Sequence, residues 1–141
     1  MPKYIRRATT AATADAVWPL VSDLTRHNEW SADPIEVTAT GEGTFTSVAT
    51  SKGKEFRADL TVLEADEPRR FAFRAQDATG TYEHVITLEP DPAGGTTITR
   101  EITGTDLSLA QKALFYAVLP IVKGPNAQKA LDRLAAAAVE G

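Results

Sequence analysis

Residues 11–30, AATADAVWPLVSDLTRHNEW, read as two short helices separated by a polar break. Thr13 is placed to cap the first helix, because a threonine oxygen accepts from the free amides that open a helix. Asp15 in the first turn complements the positive end of the helix dipole. Ala16, Val17, Leu20 and Val21 fall at helical spacing and predict a buried stripe. Pro19 is read as early enough in the helix for its missing amide to cost little. Asp23 caps a second turn or two that carries Leu24 and His27 and stops at Trp30, and Asp33-Pro34 then forces extended backbone.

Outward from this stretch the hydrophobic period becomes two. The N-terminal residues are strand-like, and Ile35, Val37 and Ala39 share one face of a second strand. Gly41 and Gly43 turn the chain into a strand over 44–51, and Lys52-Gly53 turns it again. Phe56, Ala58, Leu60 and Val62 are predicted inward, with Glu55, Arg57, Asp59 and Thr61 in water. A polar turn over 64–68 precedes Phe71, Phe73 and Ala75. Then come Tyr82, His84, Ile86 and Leu88, and finally Ile98, Arg100 and Ile102. Turns at 77–80 and 90–95 join these last strands, and short links imply antiparallel neighbours. The last third is helical, from 107 to about 119 and again after Gly124-Pro125 through Val139, with a kink or break at Pro120. Leu131, Leu134, Ala135 and Ala138 form the final apolar stripe, opposite Lys129, Asp132 and Arg133.

The 141 residues suit a single domain, 1–141, with enough chain to bury a core. No cysteine is present, which excludes disulfides and thiolate chemistry, and two histidines are a poor basis for a metal site, so neither metal nor cofactor is expected. A net charge of −4 argues against nucleic acid. The one basic cluster, Lys3, Arg6 and Arg7, reads as the solvated face of an edge strand. MPKYIRR lacks the apolar core of a signal peptide, and no apolar run approaches a membrane span, so a cytoplasmic location is expected.

DAVWPLVSDLTRHNEW, followed by VLEADEPRRFAFRA, TLEPDPAGGTTITREI and ALDRLAAAAVE, resembles the SRPBCC superfamily, also called START-like or Bet v1-like. Within it the chain resembles the bacterial polyketide cyclase/dehydrase-type group. The matching positions are Val17, Trp18, Asp23, Trp30, residues 68–71, and Gly95-Thr96. The resemblance implies an α+β helix-grip fold: a seven-stranded curved antiparallel sheet wrapped around a long C-terminal helix, two short helices after strand 1, and a cavity between sheet and helix. It also implies ligands such as lipids, sterols, polyketides or quinones, or in one branch a protein partner. The matching positions are framework, so fold analogy does not choose among these roles.

His84 is the first residue of chemical interest. On an apolar strand face it serves either as a satisfied core residue, as a contact for a ligand carbonyl, or as a catalytic base. Arg100 interrupts the row of Ile98 and Ile102. A hairpin turning near residue 92 would set it beside His84, a one-residue slip would put it in water, and a position at the mouth would let the guanidinium snorkel outward. Tyr82 offers a hydroxyl on the same row, and Phe56, Phe71 and Phe73 are cavity lining or core. The segment 113–122, ALFYAVLPIV, is apolar on every side. It is either buried all round or meets a second subunit, a membrane surface or a partner, a homodimer being one such arrangement. Leu114, Phe115 and Val118 are the expected cavity roof. No serine stands in a nucleophile elbow, no glycine loop precedes a helix, and no carboxylate pair is placed for acid-base work.

Three functions compete on these residues. The preferred one is binding of a small hydrophobic ligand (a lipid, polyketide or similar metabolite) with Tyr82, His84 and Arg100 at its polar end. The second is a cyclase or dehydratase that folds a polyketone in the same cavity. The third is a protein-interaction module acting through 113–122 or the sheet surface.

Overall fold

The structure, a computed structural model, describes residues 3–31, 34–51, 53–77, 80–106 and 124–140. Strand β1 (Lys3–Thr10) leads into helix α1 (Ala14–Ser22) and a 3-10 helix (Leu24–Glu29). Six strands follow: β2 (Ile35–Gly41), β3 (Thr44–Ser51), β4 (Lys54–Asp66), β5 (Arg70–Asp77), β6 (Gly80–Pro90) and β7 (Thr96–Asp106). Helix α2 (Gly124–Glu140) ends the chain. The expected helix over 107–119, the break at Pro120, and the roof residues Leu114, Phe115 and Val118 all lie outside the described residues, as does the whole of 113–122.

The seven strands form one antiparallel sheet in the order β1-β7-β6-β5-β4-β3-β2. Every hairpin from β2 to β7 joins neighbours, and β1 closes beside β7, so the segment 11–30 spans from one sheet edge to the other. Register shifts at Ala39/Gly41, Val62/Glu64 and Thr81/Tyr82 break the ladder locally, and each adds bend and twist. The result is the helix-grip architecture: α1, the 3-10 helix and α2 cover the inner face of a curved sheet.

The caps are as the side chains dictate. Thr13 Oγ1 accepts from the Ala16 amide at 3.3 Å, and Asp23 Oδ1 accepts from the Thr25 amide at 3.0 Å and its hydroxyl at 2.6 Å. The second helix is 3-10, with three residues per turn, so Leu24, His27 and Trp30 fall in line and all are buried. Pro19 is a correction: it lies in the interior of α1 rather than near its start. Its missing amide leaves the Asp15 carbonyl without a helical partner, and both residues are exposed, where water serves instead.

The core joins α1 (Val17, Leu20, Val21), the 3-10 helix (Leu24, Trp30), the sheet (Phe71, Phe73, Ile86, Ile98) and α2 (Leu131, Leu134, Ala138). Helix α2 is also pinned by hydrogen bonds. Thr10 Oγ1 donates to the Ala135 carbonyl at 2.8 Å, Gln128 Nε2 to the Arg7 carbonyl at 2.8 Å, and Arg133 Nη1 to the Ser31 carbonyl at 2.7 Å.

The β6–β7 turn is fixed against β1 by one glycine. Gly95 has φ +84°, and a Cβ there would stand 2.0 Å from the Thr10 carbonyl oxygen. Gly95→Ala is expected to cost about 2 kcal/mol through left-handed strain and backbone displacement, read as a lower urea midpoint with an unchanged slope.

Phe56 is the second correction. Its parity matches Leu60 and Val62, yet it is 53 % exposed. Pairing of β4 with β5 begins only at Asp59, so Phe56 sits where β4 pairs with β3 alone, beyond the packed centre of the sheet. Strand β4 also runs on through the bulge to Asp66, past the start of the expected turn, which leaves Leu63 42 % exposed on the outer side.

Candidate functional site

The β5, β6 and β7 registers set Phe73 opposite His84 and His84 opposite Ile102, with Phe71, Ile86 and Arg100 in the adjacent row. All these positions share the inner face. His84 and Arg100 are therefore diagonal neighbours, and the long arginine stem bridges the gap: Arg100 Nη2 lies 3.0 Å from His84 Nδ1. A guanidinium only donates, so Nδ1 accepts, and the neutral ring carries its proton on Nε2. No hydrogen bond to Nε2 is made among the described residues.

Aromatic rings fix this pair. The Phe73 and His84 rings stack at 4.6 Å with planes 7° apart. Phe73 meets His27 at 5.8 Å, His27 meets Trp30 at 4.6 Å, and the Arg100 guanidinium lies 5.7 Å from the Trp30 ring centre. The side chains of His84, Phe73, His27, Trp30 and Arg100 thus close a loop drawn from β5, β6, β7 and the end of the 3-10 helix. Trp30 donates its indole N–H to the Leu20 carbonyl at 3.0 Å, and His27 Nε2 donates to the Val21 carbonyl at 2.9 Å. Both anchors tie the loop back to α1.

The electrostatics follow from burial and from three potential cations at close quarters. Burial, then Arg100, then His27, push the His84 pKa well below 6.5. Burial lowers His27 to about 4, opposed by its bond to the Val21 carbonyl and assisted by Arg100. Burial likewise lowers Arg100 to about 10, with Tyr4 acting to raise it. At neutral pH the cluster is therefore one arginine cation beside two neutral imidazoles. The Arg100 side chain keeps some exposed surface, but its Nε is sealed from solvent and has no hydrogen-bond partner among the described residues, and the same holds for the Tyr4 hydroxyl.

Of the residues singled out from sequence, the structure brings His84 and Arg100 into contact and puts Tyr82 two positions along the same strand, partly buried. Phe71 and Phe73 are 1 % and 4 % exposed and belong to the core, with Trp18 edge-on to Phe71 at 6.2 Å. Phe56 stands apart. Three residues were missed. His27 was visible in the spacing of three with Leu24 and Trp30. Tyr4 and Arg6 required the β1–β7 register, which sets Tyr4 opposite Ile102 and Arg6 opposite Arg100 on the inner side. The basic cluster at the N-terminus is thereby divided: Arg7 is exposed, whereas Arg6 turns inward, its guanidinium 4.2 Å over the Tyr4 ring.

Described residues line clefts that include the following two. One of about 530 Å³ runs between α1, the 3-10 helix and the end of α2, lined by Ala16, Pro19, Leu20, Arg26, Glu29, Ala137 and Ala138. The other, about 320 Å³, lies along the β4–β5 edge at Arg57, Asp59 and Asp77. Neither is lined by His84 or Arg100. Among the described residues no cluster of three His, Asp or Glu is arranged for a metal, and no helix is long and apolar enough to cross a membrane.

Comparison with known proteins bears on the fold first. The TTHA0849 protein of Thermus thermophilus superposes with a TM-score of 0.76 at 20% identity, covering 99% of this chain and 98% of its own. A conserved protein from Geobacillus kaustophilus gives 0.77 at 14% identity, with 98% and 95% covered. Protein Ms6760 from Mycobacterium smegmatis gives 0.75 at 20% identity, with 96% and 90% covered. At such identities the likeness is one of fold. No curated protein matches the sequence. The profile described as "Polyketide cyclase / dehydrase and lipid transport" matches residues 1–139, and with the helix-grip fold and the apolar inner face this establishes that the chain belongs to that family, within the SRPBCC superfamily.

Proposed function

We propose that this protein binds a small hydrophobic ligand between the inner face of the sheet and its helical cover. The observation that carries the reading is the Arg100–His84 pair: hydrogen-bond donors set among aromatic and aliphatic side chains. Small-molecule sites are built in this way, with hydrophobic walls giving affinity and a few polar groups giving orientation. Membership of a family whose description includes lipid transport supports the same reading.

Binding is preferred over cyclase or dehydratase chemistry on the state of His84. Its Nδ1 lone pair is taken by Arg100, and its basicity is depressed, so the ring is a donor rather than a proton acceptor. A neutral Nε2–H suits a ligand carbonyl or hydroxyl.

Native mass spectrometry of gently purified protein, followed by organic extraction, tests the reading. A copurifying apolar molecule is the expected result. His84→Ala is expected to lower affinity for that molecule about fivefold, the value of one neutral hydrogen bond. A clean apo mass, together with failure of apolar probes to bind the wild type, would remove the proposal. Turnover lost far beyond affinity in His84→Ala would replace it with the enzymatic alternative.

A further inference from the structure

The inner face carries charge of one sign. Away from the strand tips, the inner positions of β1 to β7 hold apolar, hydroxyl, imidazole or guanidinium side chains, and the charged ones are Arg6 and Arg100. The inner-parity carboxylate described on the sheet, Asp77, lies at the exposed end of β5. The segment 107–123 contains no Asp or Glu in its sequence. This arrangement stands out in a chain whose net charge is −4 and where several outer arginines are matched: Arg70 with Glu64, Arg74 with Glu83, Arg26 with Glu29.

Arg100 is thus a cation in the interior with a neutral imidazole and an aromatic face for company and no carboxylate in contact among the described residues. Among the described residues its Nε–H meets no hydrogen-bond partner, and on the next strand the buried Tyr4 hydroxyl meets none either. Tyr4 and Arg100 sit diagonally across the β1–β7 pair, so the two vacant polar groups belong to one corner of the inner face. Buried polar groups left vacant are costly, and a buried charge more so, unless something else completes them.

We infer that the ligand's polar end is a carboxylate, received by Arg100 and Tyr4 with Arg6 adding positive charge beside them, while the apolar remainder lies along the aromatic rows. The inference rests on the ligand-binding reading and narrows it from hydrophobic molecules in general to hydrophobic acids. The chemistry is complementary: a guanidinium presents paired donors to a planar carboxylate, and a phenol adds one more. His84 accepts one N–H of Nη2, and the guanidinium keeps its Nε–H and further N–H groups for the acid.

Matched probes decide it at pH 7.5, by calorimetry on the full chain: decanoate against 1-decanol, and 2-naphthoate against 2-naphthylmethanol. The wild type is expected to prefer the acid of at least one pair by about tenfold or more, the usual strength of charge-assisted pairing. Arg100→Met is expected to abolish that preference, the acid losing about tenfold more affinity than its matched alcohol, and Tyr4→Phe to reduce it about threefold. Equal binding of acid and alcohol by the wild type would overturn the inference and leave hydrophobic binding standing. A preference that survives in Arg100→Met would also overturn it. Failure of all four probes to bind would count against the binding reading as well. Should Arg100→Met lose its near-ultraviolet dichroism, Arg100→Lys serves instead: loss of the fork is expected to cut the preference about fivefold, and an unchanged preference overturns the assignment.

Discussion

Trp30→Ala is expected to destabilise the fold by about 4 kcal/mol, the range for deleting a buried tryptophan side chain. Trp30 is 1 % exposed, and its ring packs on His27 and lies under the Arg100 guanidinium. Its removal also strips the Leu20 carbonyl of its indole donor at the end of α1. Part of the loss is cavity and part is the orphaned carbonyl, and Trp30→Phe separates them. Phenylalanine keeps much of the volume but has no N–H, so a smaller loss, about 2 kcal/mol, is expected. Urea unfolding followed by far-ultraviolet dichroism measures both. A loss below about 1 kcal/mol for Trp30→Ala would mean that the ring does not hold the 3-10 helix to the sheet.

Acidification is the second large effect. In the unfolded chain a histidine protonates near its ordinary 6.5, whereas native His27 resists protonation until about 4. Between these values the unfolded state binds more protons, so stability is full above pH 6.5 and falls as pH is lowered toward 4. A shift of this size for a buried ring corresponds to about 3 kcal/mol over that window. His84, displaced in the same direction by burial and by Arg100, adds to the loss. Among the described residues the carboxylate with a lowered pKa is Glu29, bonded to Arg26, and it contributes as pH falls through its ordinary 4.5. The interval from 6.5 to 4.5 therefore reports chiefly on the imidazoles. Urea midpoints at pH 7.5, 6.5, 5.5 and 4.5 are expected to fall steadily in the wild type. His27→Gln, which keeps a donor for Val21 but cannot titrate, is expected to flatten the slope. A wild-type midpoint that is level across this interval would mean that neither imidazole is buried neutral.

The sheet was legible because side-chain parity is a local property. Alternation marked Leu60, Phe71, Phe73, Ile86 and Ile98 as inward, and each is buried. Capping was legible for the same reason: Thr13 and Asp23 act on amides two or three residues away. Helix α2 shows its predicted stripe, with Leu131 and Leu134 fully buried and Lys129, Asp132 and Arg133 exposed.

Parity is silent on distance from the core, and there the local reading failed for Phe56. It also cannot say which inward residues meet. The pairing of His84 with Arg100 depended on one hairpin register, and a slip of a single residue would have turned the arginine outward. Closing the side-chain loop further required the 3-10 helix to be delivered over β5 and β7, and Tyr4 and Arg6 to arrive from the first strand alongside the last.

By itself the sequence determined the order of the described elements, the face of the apolar residues of β4 to β7, the capped helix pair and the family, because these rest on backbone periodicity and nearest-neighbour hydrogen bonds. Only the tertiary structure decided that two histidines, a tryptophan and an arginine from distant segments share one low-dielectric site. That assembly, rather than any single residue, holds both imidazoles neutral beside the Arg100 cation, because burial and Coulomb interaction depend on position in space.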